Sequence, residues 1–239
     1  MSEKPNKPNK PEKPEKPEKP EKSERESLEA ALDELPIFPL PHVVLFPRAL
    51  LPLHLFEPRY RTLLADCLGT HRAMAMALVP DPNDLNEHGQ PRIASVAGAG
   101  IIIEHHTLPD GRANIVLNGR ARVRLEELPF VPPYRRARAT ILKDIPTPVS
   151  DADKTALFAS ASAFVAEVTK RDPKFSFNVA RSLDPGAFAD MCGHHLVIDT
   201  AIRQGLLEEL DVAERIRKVI SELAQQHSAM ARESGGLVN

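Results

Sequence analysis

VAGAGIIIEHHTLPDGRANIVLNGRARVRL, residues 96–125, contains the pattern on which the fold turns. In its second half Ala113, Ile115, Leu117, Ala121, Val123 and Leu125 alternate with Arg112, Asn114, Asn118, Arg120, Arg122 and Arg124. A period of two puts neighbouring side chains on opposite sides of a strand, so residues 112–125 predict one long strand with an apolar and a mostly polar face. The segment 96–106 before it is also strand-like. Leu108-Pro109-Asp110-Gly111 between the two suits a tight turn: proline presets φ, aspartate bonds the nearby main chain and glycine accepts positive φ. The pair is therefore expected to be a β-hairpin.

Outward from the hairpin, further strands are expected at 36–40, 50–55, 72–79 and 134–143, each bounded by proline or glycine. One helix interrupts them at 57–69. Tyr60, Leu63, Leu64, Cys67 and Leu68 make a single helical stripe there, with Pro58 in the first turn and Gly69 at the end. Past Pro146 and Pro148 the pattern becomes helical. Helices are expected over 151–170, from Asp184-Pro185, from Asp199, and from a capping box formed by Asp211 and Glu214. The predicted class is α+β, with a β-domain over 35–145, a helical bundle over 150–228 and a frayed tail over 229–239.

The N-terminal stretch 4–22, KPNKPNKPEKPEKPEKPEK, repeats proline at 5, 8, 11, 14, 17 and 20. Proline at every third position removes main-chain donors and fixes φ, so an extended, solvated polyproline II segment is expected, with residues 1–34 forming a disordered tail. Residues 23–34 offer at most a short helical turn. The 239 residues carry 31 basic and 33 acidic side chains, and a net charge of −2 creates no global field favouring nucleic acid or an anionic membrane. There is no apolar leader and no run long enough to span a bilayer. Two cysteines, Cys67 and Cys192, stand outside any CxxC pattern. A reducing, cytoplasmic setting is expected.

LPIFPLPHVVLFP at 35–47 and PLHLFEPRYRTLL at 52–64 closely resemble the opening of the Lon protease substrate-binding domain. The hairpin at 96–125, the strand PYRRARATILKD at 133–144 and RQGLLEELDVAERIRKVISEL at 203–223 are similar to later parts of the same family, in the same order. The resemblance implies a PUA-like, six-stranded, partly open β-barrel with one helix, followed by a helical bundle. It also implies partners: unfolded or extended polypeptide segments, with a protease as a further candidate and an adaptor role in protein quality control.

Full-length Lon continues into ATPase and Ser-Lys protease modules. This sequence contains no GxxxxGK[ST], GxSxG or HExxH stretch, so the expectation is a non-enzymatic module without cofactor or catalytic residues.

Two candidate surfaces follow. For polypeptide, Val43, Val44, Leu45, Phe46, Leu51 and Phe56 crowd too many apolar groups together for strict alternation, which fits either two-sided burial or an apolar groove. For RNA, the alternative, Arg112, Arg120, Arg122 and Arg124 would line one strand face and neutralise phosphates. Against that reading stand the absence of Trp, the presence of only two Tyr, and nearby Glu104, Glu126 and Glu127. Cys192, His194 and His195 are too few for a tetrahedral metal site, and no metal is expected.

Overall fold

In the computed structural model, residues 20–178 and 183–235 are described. The strands are β1 (Leu35–Leu40), β2 (Leu50–Leu55), β3 (Ala73–Leu78), β4 (Val96–Thr107), β5 (Ala113–Glu127) and β6 (Arg135–Leu142). They form one sheet in the order β2-β5-β4-β3-β1-β6, and β6 pairs back onto the second half of β5. Five strands thus close a ring. The sixth, β2, pairs only with the first half of β5, from Leu50 opposite Asn118 to Leu55 opposite Ala113. All pairings are antiparallel except β1 with β3. The expected barrel is present, open along β2.

The β4–β5 hairpin closes as its sequence predicts. Leu108 N–H donates to Arg112 O at 2.7 Å, Gly111 adopts φ +82°, and Asp110 Oδ1 accepts from Arg112 N–H at 3.0 Å.

The alternation of β5 holds, but it does not describe one face. Gly119 pairs with Gly100 and Ala121 with Ala99, which leaves Arg120 as an extra residue, a β-bulge. One added residue turns every later side chain to the other side. Ala113, Ile115 and Leu117 accordingly join the large core between sheet and helices. Ala121, Val123 and Leu125 instead belong to a second cluster, to which β1, β3, β4 and β6 also contribute: the interior of the ring. That interior is built largely from alanine, including Ala73, Ala75, Ala97, Ala99, Ala137 and Ala139.

Helix α1 (Pro20–Ala30) precedes the first strand and leads into a 3-10 turn at Leu32–Glu34. Leu28 is 1% exposed and lies with Ala31 in the ring cluster. The folded part therefore begins some fifteen residues before Leu35, the difference between 35 and 20, and the expected tail 1–34 is too long. Leu28, Ala31, Leu32 and Leu35 have the spacing of a helical stripe continued into the strand, a signal that the neighbouring charges obscure. The repeat before Pro20 lies outside the described residues.

α2 (Pro58–Gly69) buries Tyr60, Leu63, Leu64 and Cys67, the stripe read from its sequence. The C-terminal helices are α3 (Asp151–Arg171), α4 (Pro185–His195), α5 (Thr200–Glu208) and α6 (Val212–Gly235). Their starts are capped by side chains: Ser150 accepts from Asp153 N–H, Asp184 from Ala187 N–H, Asp199 from Ile202 N–H and Asp211 from Glu214 N–H. The box at α6 is half made. Asp211 N–H donates to Glu209 Oε1 at 3.0 Å, and the Glu214 carboxylate pairs with Arg217.

α6 also continues past the expected end near 229, because Met230 packs on the core and its carbonyl accepts from Arg171. No helix among the described residues is long and apolar enough to cross a membrane.

Candidate functional site

Between β1 and β2 the chain forms a strap, residues 41–49, with positive φ at His42 (64°) and Arg48 (69°). It crosses the sheet at two glycines. A Cβ placed on Gly98 would lie 1.9 Å from Leu45 O, and one on Gly119 would lie 2.0 Å from Phe46 O, so only hydrogen fits at either position. The strap's side chains then point into the space between sheet and helices. Phe46 reaches α4, where a Cβ on Gly193 would sit 3.1 Å from Phe46 Cζ, and its ring meets His194 edge-on at 6.2 Å. Val44, Leu45 and Phe46 are 2%, 0% and 0% exposed. These three of the six groove candidates are interior residues, and the crowding of apolar groups reflects two-sided burial. Val43 and Leu51 are half-buried; Phe56 is exposed.

The residues left at the surface gather along β2. Among the described residues its outer edge meets no other strand. Leu50 and Phe56 are 53% and 60% exposed, and Leu53 is half-buried. The His54 ring stacks beside Phe56 at 6.2 Å, and His54 Nδ1 lies 2.7 Å from Asn114 Oδ1. Beside this edge an open groove runs across β2, β5 and β4, lined by Leu53, His54, Val116, Glu104 and His106. Histidines are numerous here, yet among the described residues no group of three or more His, Cys, Asp or Glu is arranged to hold a metal ion.

Arg112, in the turn before β5, and the three arginines of β5 do not share a face. Arg112 is exposed and closes on Asp110, with Nε 2.7 Å from Oδ2. Arg120, at the bulge, is half-buried with Nε 3.4 Å from a Glu24 carboxylate oxygen. Arg122 is buried toward the helices, and Arg124 is exposed. The bulge that moves Val123 and Leu125 into the ring also sends Arg122 to α4, and the expected basic face is lost.

Arg122 belongs to a buried ionic cluster that joins barrel to bundle. Its guanidinium holds the Asp190 carboxylate of α4 with two bonds and donates from Nε to Leu207 O at 2.9 Å. Arg215 of α6, 0% exposed, approaches Asp190 Oδ1 at 3.0 Å through Nε and grips Asp144, just after β6, at 2.7 and 3.1 Å. Burial pushes the Asp190 carboxyl up from the usual carboxylate range, and the two guanidiniums pull the other way. Burial also works against the Arg215 charge, but Asp190 and Asp144 more than offset it and hold that guanidinium above its ordinary value. Gln204 of α5 adds a bond from Nε2 to Val96 O at 2.9 Å. None of these inter-element partners is readable from local sequence.

The remaining candidates are structural. Burial pushes the thiols of Cys67 and Cys192 up to about 12, the former helped by Asp66. Burial lowers His194 to about 4, helped by His195 and Arg203, so its imidazole is neutral beside Phe46.

Residues 34–225 match the model of the ATP-dependent protease La (LON) substrate-binding domain. The chain belongs to the Lon substrate-binding domain family. Lon protease 2 of Sorangium cellulosum is 31% identical over 202 residues, which cover 81% of this chain and 25% of that protein. The Lon protease of Roseiflexus castenholzii is 29% identical over 82% of this chain and 24% of its own. The chain therefore spans about a quarter of these relatives, and what matches is the substrate-binding module.

The fold agrees with a Lon N-terminal domain protein from Xanthomonas campestris (TM-score 0.59, 20% identity, 79% of this chain and 97% of that one). It agrees as well with the N-terminal domain of a Mycobacterium avium complex Lon protease (TM-score 0.56, 17% identity, 80% and 98%).

Proposed function

We propose that this Lon-family domain binds extended polypeptide segments along the free edge of β2, and that it does so as a non-catalytic module. The observation that carries the reading is an edge strand at the end of the sheet that no other strand among the described residues covers, with Leu50 and Phe56 exposed at its ends. An extended chain satisfies its main-chain donors and acceptors by adding to such an edge, and its apolar side chains take cover against Leu50, Leu53 and Phe56. Pro52 lacks an N–H, which restricts the registers that can pair and protects the edge from indiscriminate aggregation.

The family supplies the class of ligand, and an adaptor or competitor in protein quality control is the role that fits a substrate-binding module. RNA binding through Arg112, Arg120, Arg122 and Arg124 has little support, since Arg122 is committed to Asp190 and no continuous basic face remains.

The test is binding of fluorescent unfolded casein to the wild type and to Phe56→Ala and Leu50→Ser. Covering each side chain contributes about 1–2 kcal/mol, part of the range for full burial, so each substitution should weaken binding roughly 5- to 30-fold. Raising salt should change little, because apolar contact and main-chain pairing are not screened. Equal affinity of all three proteins, or steep loss of binding with salt, would refute the edge as the site.

A further inference from the structure

β2 and β6 pair with the same edge of β5, the one that β4 leaves free: β2 with residues 113–118 and β6 with residues 122–127. A seam at Gly119, Arg120 and Ala121 separates them. The strap closes on the first of these, where Arg48 N–H donates to Gly119 O at 2.7 Å and Gly119 N–H donates to Ala49 O at 2.8 Å. Beyond it opens a cleft of about 660 Å³, bounded by Arg120 and Ala121, by α1, by the end of β6 and by α4. It shares no lining residue with the groove along β2.

Leu28, Pro47, Ile141, Leu142 and Ala187 give the cleft aliphatic wall. Arg25, Arg48, Arg120, Arg122 and Lys143 line it as well, against Asp144, Asp184 and Asp190. Most of these charges already have partners. Arg25 pairs with Glu29 at 2.9 Å and Arg120 with Glu24 at 3.4 Å, while Arg122 and Arg215 share Asp190 and Asp144. Each of those groups is neutral as a whole. Arg48 and Lys143 are exposed, and neither side chain makes an ion pair or hydrogen bond with a described residue. Asp184 spends its Oδ1 on the Ala187 N–H at the start of α4. Two cations against this one carboxylate leave the cleft with a surplus of positive charge.

An aliphatic wall with a few convergent polar groups, enclosing about 300–1,000 Å³, is the usual make-up of a small-molecule site. The walls are also set in place without a ligand. Arg48 is anchored through the main-chain bond to Gly119, α1 through Asn118 Nδ2 donating to Glu24 Oε2 at 3.1 Å, and α4 through the Asp190 pair with Arg122. Walls fixed beforehand spare a ligand the cost of ordering them.

We propose that this seam cleft binds a small organic anion, an oxyanion group carried on an apolar body. Arg48 and Lys143 take the oxyanion, for which a guanidinium fork and an ammonium are matched donors. Leu28, Ile141 and Leu142 cover the body. The site stands whether or not the β2 edge binds polypeptide, because the two have no residue in common.

The test is titration of the full chain with phenyl phosphate, benzoate, inorganic phosphate and phenol, followed through the backbone amide signals of Gly119 and Ala121 in NMR spectra. Phenyl phosphate or benzoate should saturate these signals with a Kd of about 1 mM or below. The tighter of the two assigns the oxyanion as phosphate ester or carboxylate. Inorganic phosphate, which lacks the body, and phenol, which lacks the charge, should each bind at least about 5-fold more weakly. Arg48→Gln and Lys143→Gln should each weaken the better anion about 4- to 10-fold, the range for a charge-assisted bond in a half-open site. Arg124→Gln, exposed on β5 outside the cleft, should leave it unchanged. Lys143 touches no partner, so its substitution keeps the fold and separates lost binding from lost structure. No saturation by either organic anion at about 10 mM would overturn the proposal. Equal affinity for inorganic and phenyl phosphate would overturn it too, by reducing the site to surface charge, and so would unaltered affinity in Lys143→Gln.

Discussion

Replacing Gly98 by alanine drives a methyl group into the main chain of the strap. The new Cβ would lie 1.9 Å from Leu45 O, 2.7 Å from Leu45 C and 2.8 Å from Leu45 Cβ. An ordinary contact of this kind needs about 3.2–3.5 Å, so the strap must retreat by more than about 1 Å from a sheet that cannot bend away. A retreat of that size separates Leu45 and Phe46, both 0% exposed, from their packing. Overpacking alone costs about 1–3 kcal/mol. Release of the strap forfeits in addition much of the burial of two large side chains, about 1.5–3 kcal/mol each. The expected loss is about 3–6 kcal/mol, a large part of the stability of a domain this size.

Urea unfolding followed by circular dichroism measures it, with Gly205→Ala as control. Gly205 is inside α5 with nothing within 4 Å of the added Cβ, so that substitution should stabilise by about 0.5–1 kcal/mol through helix propensity. A Gly98→Ala protein within about 0.5 kcal/mol of the wild type, evaluated by the same extrapolation, would show that the strap does not constrain this position.

Two further outcomes follow from the buried charges. Arg215→Met strands Asp190 and Asp144 with half their partners and should cost about 3–5 kcal/mol, whereas Arg122→Met/Asp190→Leu/Arg215→Met should recover much of that loss. Denaturation midpoints of the two variants decide it, and a triple variant less stable than the single one would contradict the account. For His194 the folded value near 4 lies below the usual 6.5, so the fold favours the neutral ring. Its contribution is fully present above pH 6.5, declines as the pH falls toward 4 and is gone below it. The amount is at most about 3 kcal/mol. His194→Gln should flatten that part of the stability profile, and parallel profiles for the two proteins would show that the ring is not so shielded.

What the sequence disclosed is what neighbouring residues decide together. Strand alternation, the stripe of α2, the turn at Asp110-Gly111 and the caps Asp184, Asp199 and Asp211 each act within a few residues, and each lies where its local chemistry directs. The features that set the candidate site join distant positions. Gly98 and Gly119 are glycine because Leu45 and Phe46 cross them, and Arg122 is buried because Asp190 waits on a helix 68 residues away. The bulge at Arg120 leaves the hydropathy pattern intact while changing its meaning. Hence Val44, Leu45 and Phe46 stood open between two-sided burial and a groove and the arginines looked like a face, whereas the edge of β2, unpaired among the described residues, emerged only once the sheet order was known.

Arg120 works on β5 as a frameshift works on a message. The letters on either side are regular, and one extra letter decides which side of the wall they are read on. With it, Val123 and Leu125 face the alanine-lined ring and Arg122 faces Asp190. Without it, two guanidiniums would be aimed at a space that holds little beyond methyl groups, and Asp190 would face valine and leucine. In this strand the number of residues is therefore held more tightly than their identities: exchanges of one aliphatic for another can be absorbed, but a single insertion or deletion between 113 and 125 rewrites both cores at once.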